Sequence, residues 1–187
     1  MLDSRFIKLI QKDIQTYASL RRSVITASDD ALHISKRAIF AMHRGELKEA
    51  KAKLSEATRI LRGLQKQYKK DTQLLQEGAY RAALEEYAEA ALLHQFFSKK
   101  KLGDVPVALP GDVYLAGLSD VPGELYRVAI HAATAGDRKT VSACMDTAED
   151  IVGALVELNL TGYLRTKFDQ AKQALQKIER VQYDLSL

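Results

Sequence analysis

The 187-residue sequence carries 28 basic and 24 acidic residues, for a net charge of +4, with 47% apolar and 7% aromatic residues and no tryptophan. That is enough chain for one sizeable core, and its mild basicity permits a nucleic-acid partner without demanding one. A lone cysteine, Cys144, excludes an internal disulfide framework, and charges at Asp3, Arg5 and Lys8 together with the lack of any bilayer-length apolar run exclude a secretory leader or a membrane span, so a cytoplasmic protein is expected.

From Met1 to Arg44 there is neither glycine nor proline, and apolar residues recur at Phe6, Ile10, Ile14, Tyr17, Val24, Ala31, Ala38 and Ile39. This period predicts one helix of about 65 Å. Gly45 marks its end. A second helix is expected from Glu46 to Lys69, through Leu54, Ala57, Ile60, Leu61 and Leu64. Asp71-Thr72 reads as the N-cap of a short helix closing at Gly78. Tyr80 to Lys101 is the next helix, followed by a loop from Gly103 to Gly111 that holds Pro106 and Pro110.

Asp112 is expected to cap a helix running to Ala135, with Pro122 and Gly123 inside it. Proline there means either a kink or a junction of two shorter helices. Gly136-Asp137 is a turn, and a further helix reaches Glu157. The last helix, Leu160 to Tyr183, repeats Leu164, Phe168, Ala171, Leu175 and Ile178 in steps of four and three, a heptad seam. No strand alternation occurs. The expected architecture is all-α: one domain over 1–187, an antiparallel bundle of six or seven helices. The long first helix and the seam of the last hold more apolar surface than one subunit readily hides, which points to a homo-oligomer.

Carboxylates stand at same-face spacing on two of these helices. Glu86 and Glu89 are three residues apart in Glu85-Glu86-Tyr87-Ala88-Glu89, and Asp120 and Glu124 four apart in Asp120-Val121-Pro122-Gly123-Glu124. Like charges so stacked repel. Spacing alone leaves two readings open. One is a solvated helix face, the ordinary setting for glutamate. The other is a divalent cation held between the helices by hard oxygen donors. Glu85 lies about 100° around its helix from Glu86, so Glu85→Gln is expected to matter little. A di-iron bundle is set aside, because no Glu-x-x-His motif occurs.

Several collinear segments resemble the translin family, in particular its catalytic branch, translin-associated factor X. They are Ser35-Lys36-Arg37, Ile39-Phe40 and His43-Arg44; Leu84 to Ala90; Tyr114-Leu115-Ala116-Gly117, Asp120, Gly123-Glu124-Leu125 and Arg127; Thr134-Ala135-Gly136-Asp137; and Val181 to Ser186. Translin itself, the non-catalytic branch, has basic and aromatic residues where this chain has Glu86 and Glu89, and an apolar residue at Asp120. The short termini and the close spacing of the two acidic helices resemble a compact archaeal-type homologue.

The resemblance implies a helical subunit of a hollow, roughly octameric homo-oligomer that encloses single-stranded RNA, or single-stranded DNA. It also implies Mg²⁺ (or Mn²⁺) on Glu86, Glu89 and Asp120, with Glu124 as a further ligand or a water-orienting group, cutting RNA endonucleolytically. A carboxylate-held cation activates water without using the 2′-hydroxyl, so 5′-phosphate products are expected. Lys36, Arg37, Arg81 and Arg127 flank the matched motifs and are candidates for backbone grip. Arg21-Arg22, Lys66 to Lys70 and Lys99 to Lys101 are basic clusters whose ordinary reading is solvated surface. Tyr87 could stack a base, although helical spacing favours the core, and His94 and His131 could be ligands, although lone histidines on apolar helices are more often core residues. The competing function is a binding-only protein of translin type, which holds single strands without cutting them.

Overall fold

The computed structural model describes residues 2–186 and is helical throughout. Its elements are α1 (Ser4–His43), α2 (Leu47–Gln67), a single 3₁₀ turn (Leu74–Gln76), α3 (Gly78–Phe97), α4 (Gly111–Thr134), α5 (Arg138–Val156) and α6 (Gly162–Asp184). The expected all-α bundle is what is found; the expected start at Met1 and the chain end at Leu187 lie outside the described residues.

Two turns follow directly from glycine. Gly45 (φ +78°) and Gly136 (φ +72°) take the left-handed conformation just past α1 and α4. The next amide in each case closes back onto the helix: Glu46 N to Ala41 O at 2.9 Å, and Asp137 N to Ala132 O at 2.8 Å. Asp137 then caps α5 by accepting from Thr140 N at 3.0 Å. Each turn is short, so α1/α2 and α4/α5 are antiparallel hairpins.

Packing links the hairpins through α3. Helix α1 lies against α2 and α3; α3 lies against α4; α4 lies against α5 and α6, and those two lie against each other. One continuous core runs through all six helices, with Tyr87, Met42, Leu61, Leu92, Leu125, Leu155 and Ile178 among its fully buried members.

Several expectations are corrected. Asp71 caps no α-helix; a 3₁₀ turn sits there, preceded by Gln73 with no side-chain cap. Asp112 lies in the first turn of α4, one residue inside it, and pairs with Arg81. Pro122 does not divide α4, which runs unbroken from Gly111 to Thr134. Helix α3 stops at Phe97, short of Lys101, because Lys99 takes a positive φ of 54°.

The heptad seam of α6 is spent inside the subunit: Phe168, Ala171 and Ile178 are buried, and Leu164 and Leu175 are half-buried. The unburied apolar surface is instead on the first half of α1. Phe6, Leu9 and Ile14 are each more than half exposed, and burial begins only at Val24. Roughly 20 Å of α1, Ser4 to Thr16, therefore extends beyond the packed body.

Candidate metal and nucleic-acid site

Helices α3 and α4 approach most closely where the acids are. A Cβ placed on Gly117 would meet Ala88 Cβ and the Glu85 carbonyl oxygen at 2.7 Å, and Glu89 N at 3.0 Å. Only glycine lets α4 backbone lie on α3 backbone there. Asp120 and Glu124 follow Gly117 by one and two turns of α4, so they stand beside Glu86 and Glu89.

Burial and mutual repulsion set the electrostatics. Glu89 is 9% exposed, and among the described residues no donor reaches its carboxyl group. Burial, and then the neighbouring charges of Asp120, Glu86 and Glu124, push it up to about 9. Burial likewise raises Glu86, against the pull of Lys36 Nζ at 3.9 Å. Asp120 is raised by burial, although Lys167 Nζ donates to its Oδ2 at 2.6 Å. Burial would raise Glu124 too, but a hydrogen bond from His43 Nε2 and the Arg127 guanidinium at 3.0 Å outweigh it, and its pKa falls below the usual carboxylate range.

Cations and aromatic rings frame these acids. On α1, Lys36, Phe40 and His43 recur at helical spacing along the side facing Glu86 and Glu124. The Arg127 guanidinium sits 5.5 Å from the centroid of Phe40, whose ring is 55% exposed. From α6, Lys167 Nζ bridges Asp120 and Glu85 (2.8 Å to Glu85 Oε1), and the hydroxyl of the largely exposed Tyr163 donates to the same Glu85 oxygen at 2.7 Å. Burial would lower the Lys167 pKa, but these hydrogen bonds to Asp120 and Glu85 carry it upward instead.

The flanking residues named from sequence separate in space. Lys36 and Arg127 border the acids. Arg37 faces the groove between α1 and α2, with Asp30, Lys53 and Arg59. Arg81 pairs with Asp112 in a groove of about 440 Å³ that Glu85 and Tyr163 also line. Tyr87 is buried and shares a hydrogen bond with Thr58 at 2.7 Å, as a core residue does. His94, half-buried with its pKa lowered by burial, faces the other side of α3 beside Thr58 and Lys51, and His131 is exposed; neither meets the acids. Glu85, set apart from Glu86 by its angle around α3, is joined to the acids through α6. It shares Lys167 with Asp120 and so borders the cluster.

The residues present fit a divalent cation in donor chemistry: carboxylate oxygens from two touching helices, with Glu89 nine-tenths buried among them. As placed, they are held apart. Among the described residues no three His, Cys, Asp or Glu side chains gather closely enough to hold an ion, while Asp120 is engaged by Lys167 and Glu124 by His43 and Arg127.

A six-helix bundle with an acid-lined crossing of two central helices defines the class of protein. The sequence pattern of the translin family matches residues 19–187, and the chain belongs to that family. Its fold is that of solved C3PO structures. The crystal structure of apo-NeC3PO superposes with a TM-score of 0.88 at 20% identity, over 99% of this chain and 98% of that one. Two structures of AfC3PO, one of them a complex with duplex RNA, superpose with a TM-score of 0.86 at 20% identity, over 96% of each chain. No curated protein matches the chain. No described helix is long and apolar enough to cross a membrane.

Proposed function

We propose that the chain is a Mg²⁺-dependent endoribonuclease of the catalytic translin branch, using Mn²⁺ as a substitute and cutting single-stranded RNA inside a hollow homo-octamer. Glu86, Glu89, Asp120 and Glu124 would hold the cation. The observation that carries this reading is Glu89: a residue nine-tenths buried, with no donor to its carboxyl group among the described residues, beside three further acids. A buried acid left so stays protonated at neutral pH, and a cation is what would let it carry its charge.

When bound, the cation would activate a water and neutralise charge gathering on the phosphate. The chain's own residues do the rest. Lys36 and Arg127 border the acids and can grip flanking phosphates. Phe40 and Tyr163, both exposed at opposite margins of the cluster, offer rings on which unpaired bases stack. The apolar stripe of Phe6, Leu9 and Ile14 on α1 supports assembly, since a monomer would leave it in water. The capture of AfC3PO with duplex RNA supports a nucleic-acid ligand for the fold.

The pairing of Asp120 and Glu124 with cations of the chain itself favours a second reading, a protein that binds single strands without cutting them. One experiment separates the two: labelled single-stranded RNA and a blunt duplex are incubated with the protein in Mg²⁺ and in EDTA. Cleavage in Mg²⁺, faster for the single strand and leaving 5′-phosphates, is expected. Tight binding with intact RNA in both conditions would establish the binding-only reading instead. Light scattering is expected to give eight subunits, and a monomer mass at micromolar concentration would overturn the enclosed site.

A further inference from the structure

The acid cluster already contains a cation of its own. Lys167 reaches in from α6 with its side chain only 16% exposed, and its Nζ lies 2.6 Å from Asp120 Oδ2 and 2.8 Å from Glu85 Oε1. Tyr163, one turn earlier on α6, donates to that same Glu85 oxygen at 2.7 Å, with its ring centroid 5.4 Å from the ammonium. Glu85 and Tyr163 thus form a berth for the ammonium that does not depend on Asp120. A divalent ion on the same Asp120 oxygen competes with the ammonium for lone pairs, and the two cations repel at that distance. Among the described residues, no three acids converge closely enough to hold an ion.

We infer that Lys167 is a positioning residue that holds Asp120 away from the metal position in the empty state, yields it when a divalent cation loads, and remains on Glu85 beside the phosphate path. The inference rests on the metal reading above and adds a threshold to it: the cation concentration that loads the site is set by the displacement of Lys167. It also gives Glu85 a role, as the anchor that keeps the displaced ammonium at the site. Metal affinity and turnover therefore respond in opposite directions when Lys167 loses its charge. A merely structural residue would depress both.

The test is calorimetric titration of Mg²⁺ into the full chain without RNA, for wild type, Lys167→Met, Lys167→Arg, Lys36→Met and Asp120→Asn, followed by steady-state cleavage. Lys167→Met is expected to bind Mg²⁺ on the order of tenfold more tightly and to cleave more slowly at saturating Mg²⁺. Lys167→Arg, which keeps the charge, should stay within about twofold of wild type in affinity. Lys36→Met removes an equal charge that lies 3.9 Å from Glu86 without a short contact, and should tighten binding less. Unchanged or weaker Mg²⁺ binding by Lys167→Met overturns the inference, as does an equal gain from Lys36→Met, which would reduce the effect to general charge. Should Lys167→Met fail to fold, Lys167→Gln carries the same expectation. A wild type that takes up no Mg²⁺, and so behaves like Asp120→Asn, brings down the metal reading itself.

Discussion

The two helices of the acid cluster leave their carboxylates in different states. On α3, Glu89 has no donor and Glu86 only a distant lysine; both are pushed upward, Glu89 to about 9. On α4, each acid is held by a side chain from a distant helix, Asp120 by Lys167 and Glu124 by His43, and Glu124 also by Arg127 one turn along α4. Half of the cluster is compensated by the fold and half is not. The uncompensated half is the one that gains most from an external cation, and the compensated half fixes where that cation would have to sit.

The largest effect should come from the uncompensated side. Glu86→Gln and Glu89→Gln are each expected to lower Mg²⁺-dependent cleavage by roughly a hundredfold or more, since each removes a charged oxygen ligand. RNA affinity, measured in parallel by filter binding, should hold or rise because a negative charge near phosphate has gone. Full activity in both variants would show that the α3 acids are spectators.

Stability sharpens the same contrast. The folded value of Glu89, about 9, lies above the ordinary 4.5. Its protonated form favours the fold fully only below about pH 4.5, and that advantage is lost as pH rises through about 9. Metal-free protein should therefore weaken across this window by at most about 1.4 kcal/mol per pH unit. Glu89→Gln in EDTA should melt higher than wild type, by on the order of 2 to 3 kcal/mol near pH 7, with a flatter pH profile. Denaturant melts at several pH values check this; parallel profiles would mean that Glu89 is solvated.

A smaller change is expected where the two helices touch. Gly117→Ala must push α4 off α3, at about 1 to 3 kcal/mol. Cleavage should fall with it while the far ends of the bundle, followed by hydrogen exchange, stay protected. The smallest effect belongs to the face of α3 turned away from the acids. Tyr87→Phe loses one hydrogen bond to Thr58, about 1 kcal/mol, and should leave RNA affinity unchanged. A marked loss of RNA binding would return Tyr87 to the list of stacking residues.

Helix order was legible because glycine and proline punctuate this chain sparsely: Gly45 and Gly136 end helices by backbone conformation alone, which is a local property. Glu86, Glu89, Asp120 and Glu124 stood out because same-face acids within one helix are also a local pattern. Apart from Arg127, one turn beyond Glu124, what pairs with them is not local. His43 is 81 residues from Glu124, and Lys167 is 47 from Asp120. Nothing in the surrounding sequence distinguishes Lys167 from the lysines of a solvated helix. The place of Glu85 was hidden for a related reason: an angle around α3 says where a side chain starts, but not that a lysine from α6 will join it to Asp120. The α6 seam shows the converse. Its period was real, yet period alone cannot say whether the partner is the same chain or another copy.

The stretch from Ser98 to Pro110 looks like an ordinary surface connection, yet it is tied down along its length. Gln95 receives the Gly103 amide at 2.9 Å and donates to Asp104 O at 2.8 Å; Tyr114 donates to Gly103 O at 3.0 Å; Arg62 and Gln65 hold Pro106 O and Ala108 O. Helices α3 and α4 are thereby clamped at this end as well as at the Gly117 crossing. Two fixed points on a pair of rigid rods leave no freedom to slide, so the offset between the two acid pairs is locked during folding, and a ligand arriving later has only side-chain rotations left to organise.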